Sequence, residues 1–142
     1  MLWRVVLDSS VLVAGLRSRR GASYRLLTLL RAERFGIAVS VPVVLEYEAV
    51  LRRHAEQLGL AETEATGLVD YLCAIGHRQE IHFLWRPMLR DPRDEAILEL
   101  AVAARCRAVV THNVRDFEGA GRFGVAVLTP GAFVRELEVS GE

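Results

Sequence analysis

The chain contains no lysine. All 18 of its basic side chains are arginine, and 18 acidic side chains balance them to a formal net charge of zero. Nucleic-acid-binding domains usually carry an excess of basic residues, so the summed charge gives no support to that class, although the distribution of charge decides more than the sum. The arginine fork suits phosphate, but an arginine-only composition is also typical of a GC-rich genome.

Cysteine is scarce and long apolar runs are missing. Cys73 and Cys106 show no Cys-x-x-Cys or Cys/His spacing, so both are predicted to be reduced core residues. Residues 1–4 are predicted to open a strand and not a signal peptide. A signal peptide would have a basic segment before a long apolar stretch and a small-residue cleavage site after it, and neither is present. No run approaches the roughly 18 apolar residues of a membrane span. These absences predict a cytoplasmic protein with no membrane partner.

What is present is an alternation of short apolar runs and helical patterns. The apolar fraction is 51%, and the length predicts one domain over residues 1–142. Strands are predicted at residues 2–7, 36–40, 80–84, 107–111 and 125–128, and helices at 22–34, from Pro42 to Leu51, at 61–75, from Pro92 to Ala104 and at 130–137. This order predicts an α/β fold with a central parallel sheet of about four or five strands and helices on both faces.

Acidic residues sit at the edges of these elements. The set is Asp8 after the first strand, Glu46 and Glu48 in the Pro42 helix, Asp91, Asp94 and Glu95 at the start of the next, and Asp116 beyond Asn113. Ligands of parallel sheets bind beyond the carboxyl ends of the strands. Carboxylates from separate elements suit Mg²⁺, which takes oxygen ligands and substrate phosphates. The pattern therefore indicates phosphodiester chemistry, and no Gly-rich phosphate loop or nucleophile elbow competes with it.

Each acidic residue also has a structural interpretation. Asp8 could be a helix N-cap at a strand-to-helix turn. Asp91 and Asp94 around Pro92 resemble a capping box, although Asp94 shares the core face of its helix. Glu46 and Glu48 flank one apolar stripe, and periodicity does not choose between them.

The polar residues of the loops have structural interpretations too. Asn113 and Asp116 are ordinary turn residues. His112 adjoins the candidate site but is expected to face solvent. Residues 15–21, which include Arg17, Arg19 and Arg20, are predicted to form a flexible basic loop that is either solvated or in contact with phosphate.

The sequence resembles the PIN-domain family of metal-dependent ribonucleases, which includes VapC-type toxins of toxin–antitoxin systems. The motifs that carry the resemblance are Val-Val-Leu-Asp-Ser-Ser-Val-Leu-Val (5–13), Leu-Glu-Tyr-Glu-Ala-Val-Leu (45–51), Asp-Pro-Arg-Asp (91–94) with Leu-Glu-Leu-Ala (98–101), Ala-Val-Val-Thr-His-Asn (108–113) and Gly-Val-Ala-Val-Leu-Thr-Pro-Gly-Ala-Phe (124–133). None is specific alone, but all five occur in order over almost the whole chain.

The resemblance implies a set of residue roles. Asp8, Asp94 and Asp116 would ligate Mg²⁺ or Mn²⁺, and Glu46 would ligate the metal through water or orient the attacking water. Asn113 and Asp116 would close the site by hydrogen bonds or a second ion. Asn113 stands where the family usually has an acid, and Ser10 where it usually has an asparagine. By the same resemblance, Glu95 is a rival to Asp94, and Glu46 is preferred to Glu48. Ser10 would hold Asp8 or contact phosphate, and Arg17, Arg19 and Arg20 would contact the RNA backbone.

The resemblance also implies partners and leaves alternatives. An RNA substrate, a small antitoxin protein and a homodimer that uses apolar surface on residues 61–75 are expected. A catalytically weak PIN-like binding module remains an alternative, supported by Asn113 and Ser10. A phosphohydrolase with an Asp-x-Asp nucleophile is disfavoured, because Ser9 and Ser10 follow Asp8.

Overall fold

Five short strands, all parallel, form the centre of the protein in a computed structural model that describes residues 2–81 and 89–140. They are β1 (Arg4–Leu7), β2 (Gly36–Val39), β3 (His77–Arg78), β4 (Ala108–Val110) and β5 (Ala126–Leu128), in the order β3-β2-β1-β4-β5. Val5, Val6 and Leu7 are fully buried because β1 is the middle strand and both of its faces are covered. The predicted parallel α/β fold is confirmed.

Within the described residues, six helices cover the sheet. They are α1 (Ser9–Arg17), α2 (Ala22–Arg31), α3 (Val41–Leu58), α4 (Glu62–Ile75), α5 (Pro92–Ala103) and α6 (Pro130–Ser140), with 3₁₀ turns at Val114–Phe117 and Ala120–Phe123. Helix α2 packs on α1 and α6, while α3 packs on α4 and α5, as expected for layers on two faces of a sheet. No helix within the described ranges is both long and apolar enough to cross a membrane.

Helix α1 corrects the predicted loop at residues 15–21. Gly15 and Arg17 belong to the helix, and the irregular segment begins only at Ser18. Gly15 is buried, and a Cβ atom there would lie 2.5 Å from Cδ1 of Leu27 and 3.2 Å from the Ser23 carbonyl oxygen. The glycine therefore serves the close approach of α1 to α2 rather than a turn, a role that its sequence neighbours do not reveal.

Strand β3 corrects the prediction of a strand at residues 80–84. His77 and Arg78 pair with Ala38 and Val39 of β2 directly after α4. Both residues of β3 are exposed at the sheet edge, so they lack the apolar signal that marks buried strands. Glu80 and Ile81 are not in a strand, and residues 82–84 lie outside the described residues.

Candidate active site

The candidate active site lies at the carboxyl edge of the sheet, between β1 and β4. Asp8 follows β1 directly, and its backbone N–H donates to the carbonyl oxygen of Val110 at 2.9 Å. The chain continues from β1 to β2 on one side of the sheet, while β4 lies on the other side. Ligands of open α/β sheets bind at such a switch point.

Two hydroxyl groups hold the carboxylate of Asp8. Ser10 Oγ donates to Asp8 Oδ2 at 2.7 Å, and Thr111 Oγ1 donates to the same oxygen at 2.8 Å. Thr111 is fully buried and Asp8 is only 9% exposed. Within residues 2–81 and 89–140, Oδ1 of Asp8 accepts no hydrogen bond. One oxygen is thus fixed by the protein, and the other is left for a ligand.

This geometry decides between the two interpretations of Asp8. The residue does occupy the N-cap position of α1, but its side chain accepts no hydrogen bond from a backbone N–H of that helix. An N-cap side chain would satisfy one of those donors. The Asp8 carboxylate is therefore placed by β1 and β4 rather than recruited to cap α1.

The loop after β4 is tied to the same hydroxyl groups. The Asn113 backbone N–H donates to Thr111 Oγ1 at 3.0 Å, and the His112 N–H donates to Ser10 Oγ at 3.3 Å. His112 is exposed, but its side chain does not simply face solvent, because it lines the cleft and its Nε2 lies 2.9 Å from the hydroxyl of the buried Ser23. Ser10 and Thr111 thus connect Asp8 to the loop that carries Asn113.

A buried phenol fixes the rotation of α3 against β1. Tyr47 is 1% exposed, and its hydroxyl donates to the carbonyl oxygen of Leu7 at 2.5 Å. Burial, more than the nearby charge of Asp8, raises the pKa of Tyr47 far above its ordinary value, so the phenol stays protonated as a donor. With Tyr47 held there, Glu46 lines the cleft beside Asp8 and Glu48 does not.

The first turn of α5 supplies the remaining carboxylates. Asp91 caps the helix by accepting from the Arg93 N–H at 2.9 Å, and it pairs with the Arg93 guanidinium at 2.9 and 3.2 Å. Those hydrogen bonds lower the pKa of Asp91. Asp94 faces the cleft, whereas Glu95 turns back to accept from the Leu89 N–H. Asp91 therefore caps the helix, while Asp94 lines the cleft.

Asp94 is the electrostatically strained member of the site. Burial, followed by the negative charges of Asp91, Asp8 and Asp116, raises the pKa of Asp94 from 3.8 to about 6, and the nearby Arg93 offsets only part of this. A carboxyl group with that pKa is partly withdrawn from water and lies among other negative charges.

A single open cleft of about 600 Å³ brings most of the predicted site residues together. Its lining includes Asp8, Ser10, Arg17, Glu46, Asp94, Asn113 and Asp116. Arg19 and Arg20 are exposed but do not line it. Of the predicted basic loop, only Arg17 reaches the cleft, because it is the last residue of α1.

Three basic residues of the cleft were not singled out from the sequence. Arg53 and His54 follow Glu46 by seven and eight positions on α3, so the same helix face brings them into the cleft. Arg93 lies with its guanidinium 3.8 Å from Glu46 Oε2, in addition to its pair with Asp91. The helical spacing could have suggested Arg53 and His54. Nothing in the sequence indicates that Arg93 bridges two elements.

Comparison with known families identifies the fold around this site. A family model described as the PIN domain matches residues 4–115, well over half of the chain. The chain belongs to the PIN-domain family. The match includes Asp8, Glu46, Asp94 and Asn113 and ends one residue before Asp116. No curated protein sequence matches the chain significantly.

A solved structure shares the fold of this PIN domain. It is a chain from the crystal structure of VapBC2 from Rickettsia felis bound to a DNA fragment from their promoter. The superposition has a TM-score of 0.59 and covers 89% of this chain and 98% of that chain, at 16% sequence identity. At that identity the likeness establishes the architecture alone.

The donor set of this PIN domain fits a hydrated hard cation. Asp8 Oδ1 is available, and Asp94 carries charge that Arg93 does not fully offset. Among the described residues, no three His, Cys, Asp or Glu side chains converge closely enough to hold an ion directly. Mg²⁺ keeps several waters and needs only one or two carboxylates. Asp8 and Asp94, with Asp116 beside them, could therefore hold such an ion partly through water.

The pKa of Asp94 predicts a pH-dependent destabilisation of the metal-free PIN domain. The folded state binds the Asp94 proton more tightly than the unfolded state, so the contribution of Asp94 to the free energy of unfolding falls as pH rises from about 3.8 to about 6. Asp94→Asn removes this loss. The variant should gain stability relative to wild type across that interval and hold the gain above it.

Chemical denaturation in EDTA at several pH values measures this difference. Asp70→Asn is the matched control, because Asp70 is exposed on α4 and lines no described cavity. A stability difference between Asp94→Asn and wild type that is the same at pH 4 and pH 7 would contradict the assigned charge crowding.

Proposed function

We propose that this PIN domain is a divalent-metal-dependent endoribonuclease and the toxin component of a type II toxin–antitoxin pair. The observation that carries the proposal is the convergence of carboxylates from β1, α3, α5 and the turn after β4 in one cleft. Carboxylates outnumber arginines in the lining of this cleft, and a cation among acidic ligands suits a phosphate-bearing substrate. We assign RNA as that phosphate-bearing substrate.

In the proposed mechanism Asp8 and Asp94 would hold Mg²⁺ or Mn²⁺, and Asp116 and Asn113 would close the site. A bound divalent ion supplies Lewis acidity at the phosphoryl group and lowers the pKa of a bound water. Ser10 and Thr111 keep Asp8 Oδ2 fixed, and Oδ1 would be the oxygen that ligates the ion. The two hydroxyl groups therefore position the Asp8 carboxylate and do not contact the RNA.

Glu46 is assigned to the attacking water. Its carboxylate lines the cleft beside Asp8, and it accepts the proton of the water as the water oxygen bonds to phosphorus. The bond from phosphorus to the departing ribose oxygen breaks, and that oxygen takes up a proton. Arg93, 3.8 Å from Glu46 Oε2, orients the Glu46 carboxylate for this role.

The partner proposals rest on the fold and on exposed apolar side chains. The shared architecture with a chain of VapBC2 supports a small antitoxin protein as partner. Tyr71 and Ile75 on α4 are 37% and 42% exposed, which supports a homodimer through that helix. Sedimentation that shows only monomer at high concentration would remove the homodimer proposal.

A second candidate function is a binding module of low activity. It is favoured by Asn113, an amide at a position where the PIN family usually has an acid, and by Arg93, which already supplies positive charge between Asp91 and Glu46. In that case the cleft would bind RNA without hydrolysing it.

The proposal predicts that Mg²⁺ or Mn²⁺ stabilises the fold. Binding to the folded state alone contributes about 2.7 kcal/mol at a hundredfold excess over the dissociation constant, so the melting temperature should rise by several degrees. Differential scanning calorimetry at millimolar divalent ion measures this, with sodium chloride of equal ionic strength as the control. An unchanged melting temperature would count against a metal site.

Cleavage of a labelled RNA with single-stranded loops tests the activity itself. The expected result is endonucleolytic products that require divalent ion and disappear in EDTA. Products that persist in EDTA would contradict metal-dependent hydrolysis. RNA binding without any products would favour the second candidate.

A further inference from the structure

A second cavity continues from the cleft across the acidic centre. It has a volume of about 460 Å³, and its lining is Leu89, Arg90, Asp91, Asp94, Arg115, Asp116 and Glu118. Asp91, Asp94 and Asp116 line both cavities. Neither cavity is enclosed, so together they form an open trough whose middle is acidic.

Arginine side chains lie on both sides of that acidic middle. Arg17 and Arg53 line the cleft on the Asp8 side, and Arg90 and Arg115 line the second cavity. No ion pair to an acidic side chain engages any of these four within the described parts of the chain, in contrast to Arg93, which pairs with Asp91. Their charge is therefore free to meet an anion.

The carboxylates that the two cavities share thus lie between arginines that line only one cavity or only the other. An acidic centre alone would repel a polyanion, and a bound cation there offsets the charge at one phosphate only. The phosphates before and after that one need positive charge on either side. Unpaired arginines suit this need, because the guanidinium fork matches phosphate geometry and is always charged.

We propose that single-stranded RNA crosses the acidic centre from one cavity to the other, with backbone phosphates held by Arg17 and Arg53 on one side and by Arg90 and Arg115 on the other. The inference rests on the proposed nuclease function and extends it. The site takes an internal segment of a strand rather than a chain end, and Arg19 and Arg20 stay outside the path.

Binding measured without cleavage tests the path. A fluorescent 12-nucleotide oligouridylate is titrated at several salt concentrations with Arg53→Ala, Arg115→Ala and the double variant, with Ca²⁺ in place of Mg²⁺ or Mn²⁺ so that a cation occupies the acidic centre. Each single change should weaken binding several-fold and flatten the slope of log K against log salt by about 0.7. The two effects should add, because the contacts lie on opposite sides of the centre. A circular form of the RNA should bind as well as the linear one.

Arg52→Ala and Arg122→Ala are the matched controls. Arg52 neighbours Arg53 on α3, Arg122 lies in the 3₁₀ turn after that of Arg115, and both are exposed and line no described cavity. Melting temperatures verify that every variant folds. Binding by Arg115→Ala that equals binding by Arg122→Ala, or loss of binding to the circle, overturns the two-sided path.

The same variants separate this inference from the proposed function. Metal-dependent cleavage by wild type with no effect of Arg115→Ala on binding would leave the nuclease intact and overturn the path. Reduced binding by both arginine variants with no cleavage under any condition would support the path and overturn the nuclease.

Discussion

Replacing Asp8 with asparagine is expected to lower metal-dependent RNA cleavage by at least about 100-fold, because stabilisation of transition-state charge by a metal ion is worth several kcal/mol and each 1.36 kcal/mol is a factor of ten in rate. The amide oxygen introduced by Asp8→Asn can still accept from Ser10 and Thr111, so the hydrogen bonds at the end of β1 survive. What is lost is the negative charge that Oδ1 offers to the cation.

Single-turnover cleavage of a labelled RNA by wild type and Asp8→Asn measures this effect. Asp70→Asn makes the same chemical change at an exposed position of α4 and should cleave like wild type. Circular dichroism verifies the fold. Activity of Asp8→Asn within a few-fold of wild type would show that Asp8 is not a ligand and that the products come from another mechanism or from a contaminant.

Thr111→Val should reduce the affinity for Mg²⁺ or Mn²⁺ by about 10- to 100-fold, the usual cost of losing a partner that orients a metal ligand. Valine has nearly the shape of threonine, and the site is fully buried, so packing changes little. The variant removes one of the two hydrogen bonds to Asp8 Oδ2 and also leaves the Asn113 N–H without its acceptor. Stability should fall by about 1–3 kcal/mol.

Calorimetric titration of metal into each folded variant separates positioning from packing. Thr111→Ser keeps the hydroxyl group and loses only a methyl group, so it should retain most of the metal affinity even where it loses stability. If Thr111→Ser and Thr111→Val bind metal equally well, the hydroxyl group does not position Asp8.

Much of the fold follows from apolar runs in the sequence. Strands β1, β2, β4 and β5 are predictable because a buried strand of a parallel sheet is a short continuous apolar segment. Strand β3 is not, because its two residues are exposed and form a strand only through pairing with β2. The end of helix α1 is not predictable, because a glycine at position 15 suggests a turn, whereas Gly15 lies inside the helix where α1 packs closely on α2.

The site is predictable to the level of the carboxylates and no further. Asp8 and Asn113 follow from strand ends, since those ends share one edge of the sheet. The choice of Glu46 over Glu48 depends on the rotation of α3, which the bond from Tyr47 to Leu7 sets across 40 positions of the chain. The position of Arg93 between Asp91 and Glu46 is not predictable from the sequence, because it depends on how α3 and α5 pack together.

Helix α5 imposes a spacing rule on any change in chain length. Its first turn carries Asp91 and Asp94 at the cleft, and its next turn buries Ile97 and Leu98 in the core. Each residue added or removed between Asp94 and Ile97 would rotate the two cleft carboxylates by about 100° around the helix axis relative to the two core residues. A single insertion there would abolish the acidic centre while leaving every carboxylate in the sequence. Extra residues in the turn at 59–61 between α3 and α4, by contrast, would lengthen the chain without moving the site.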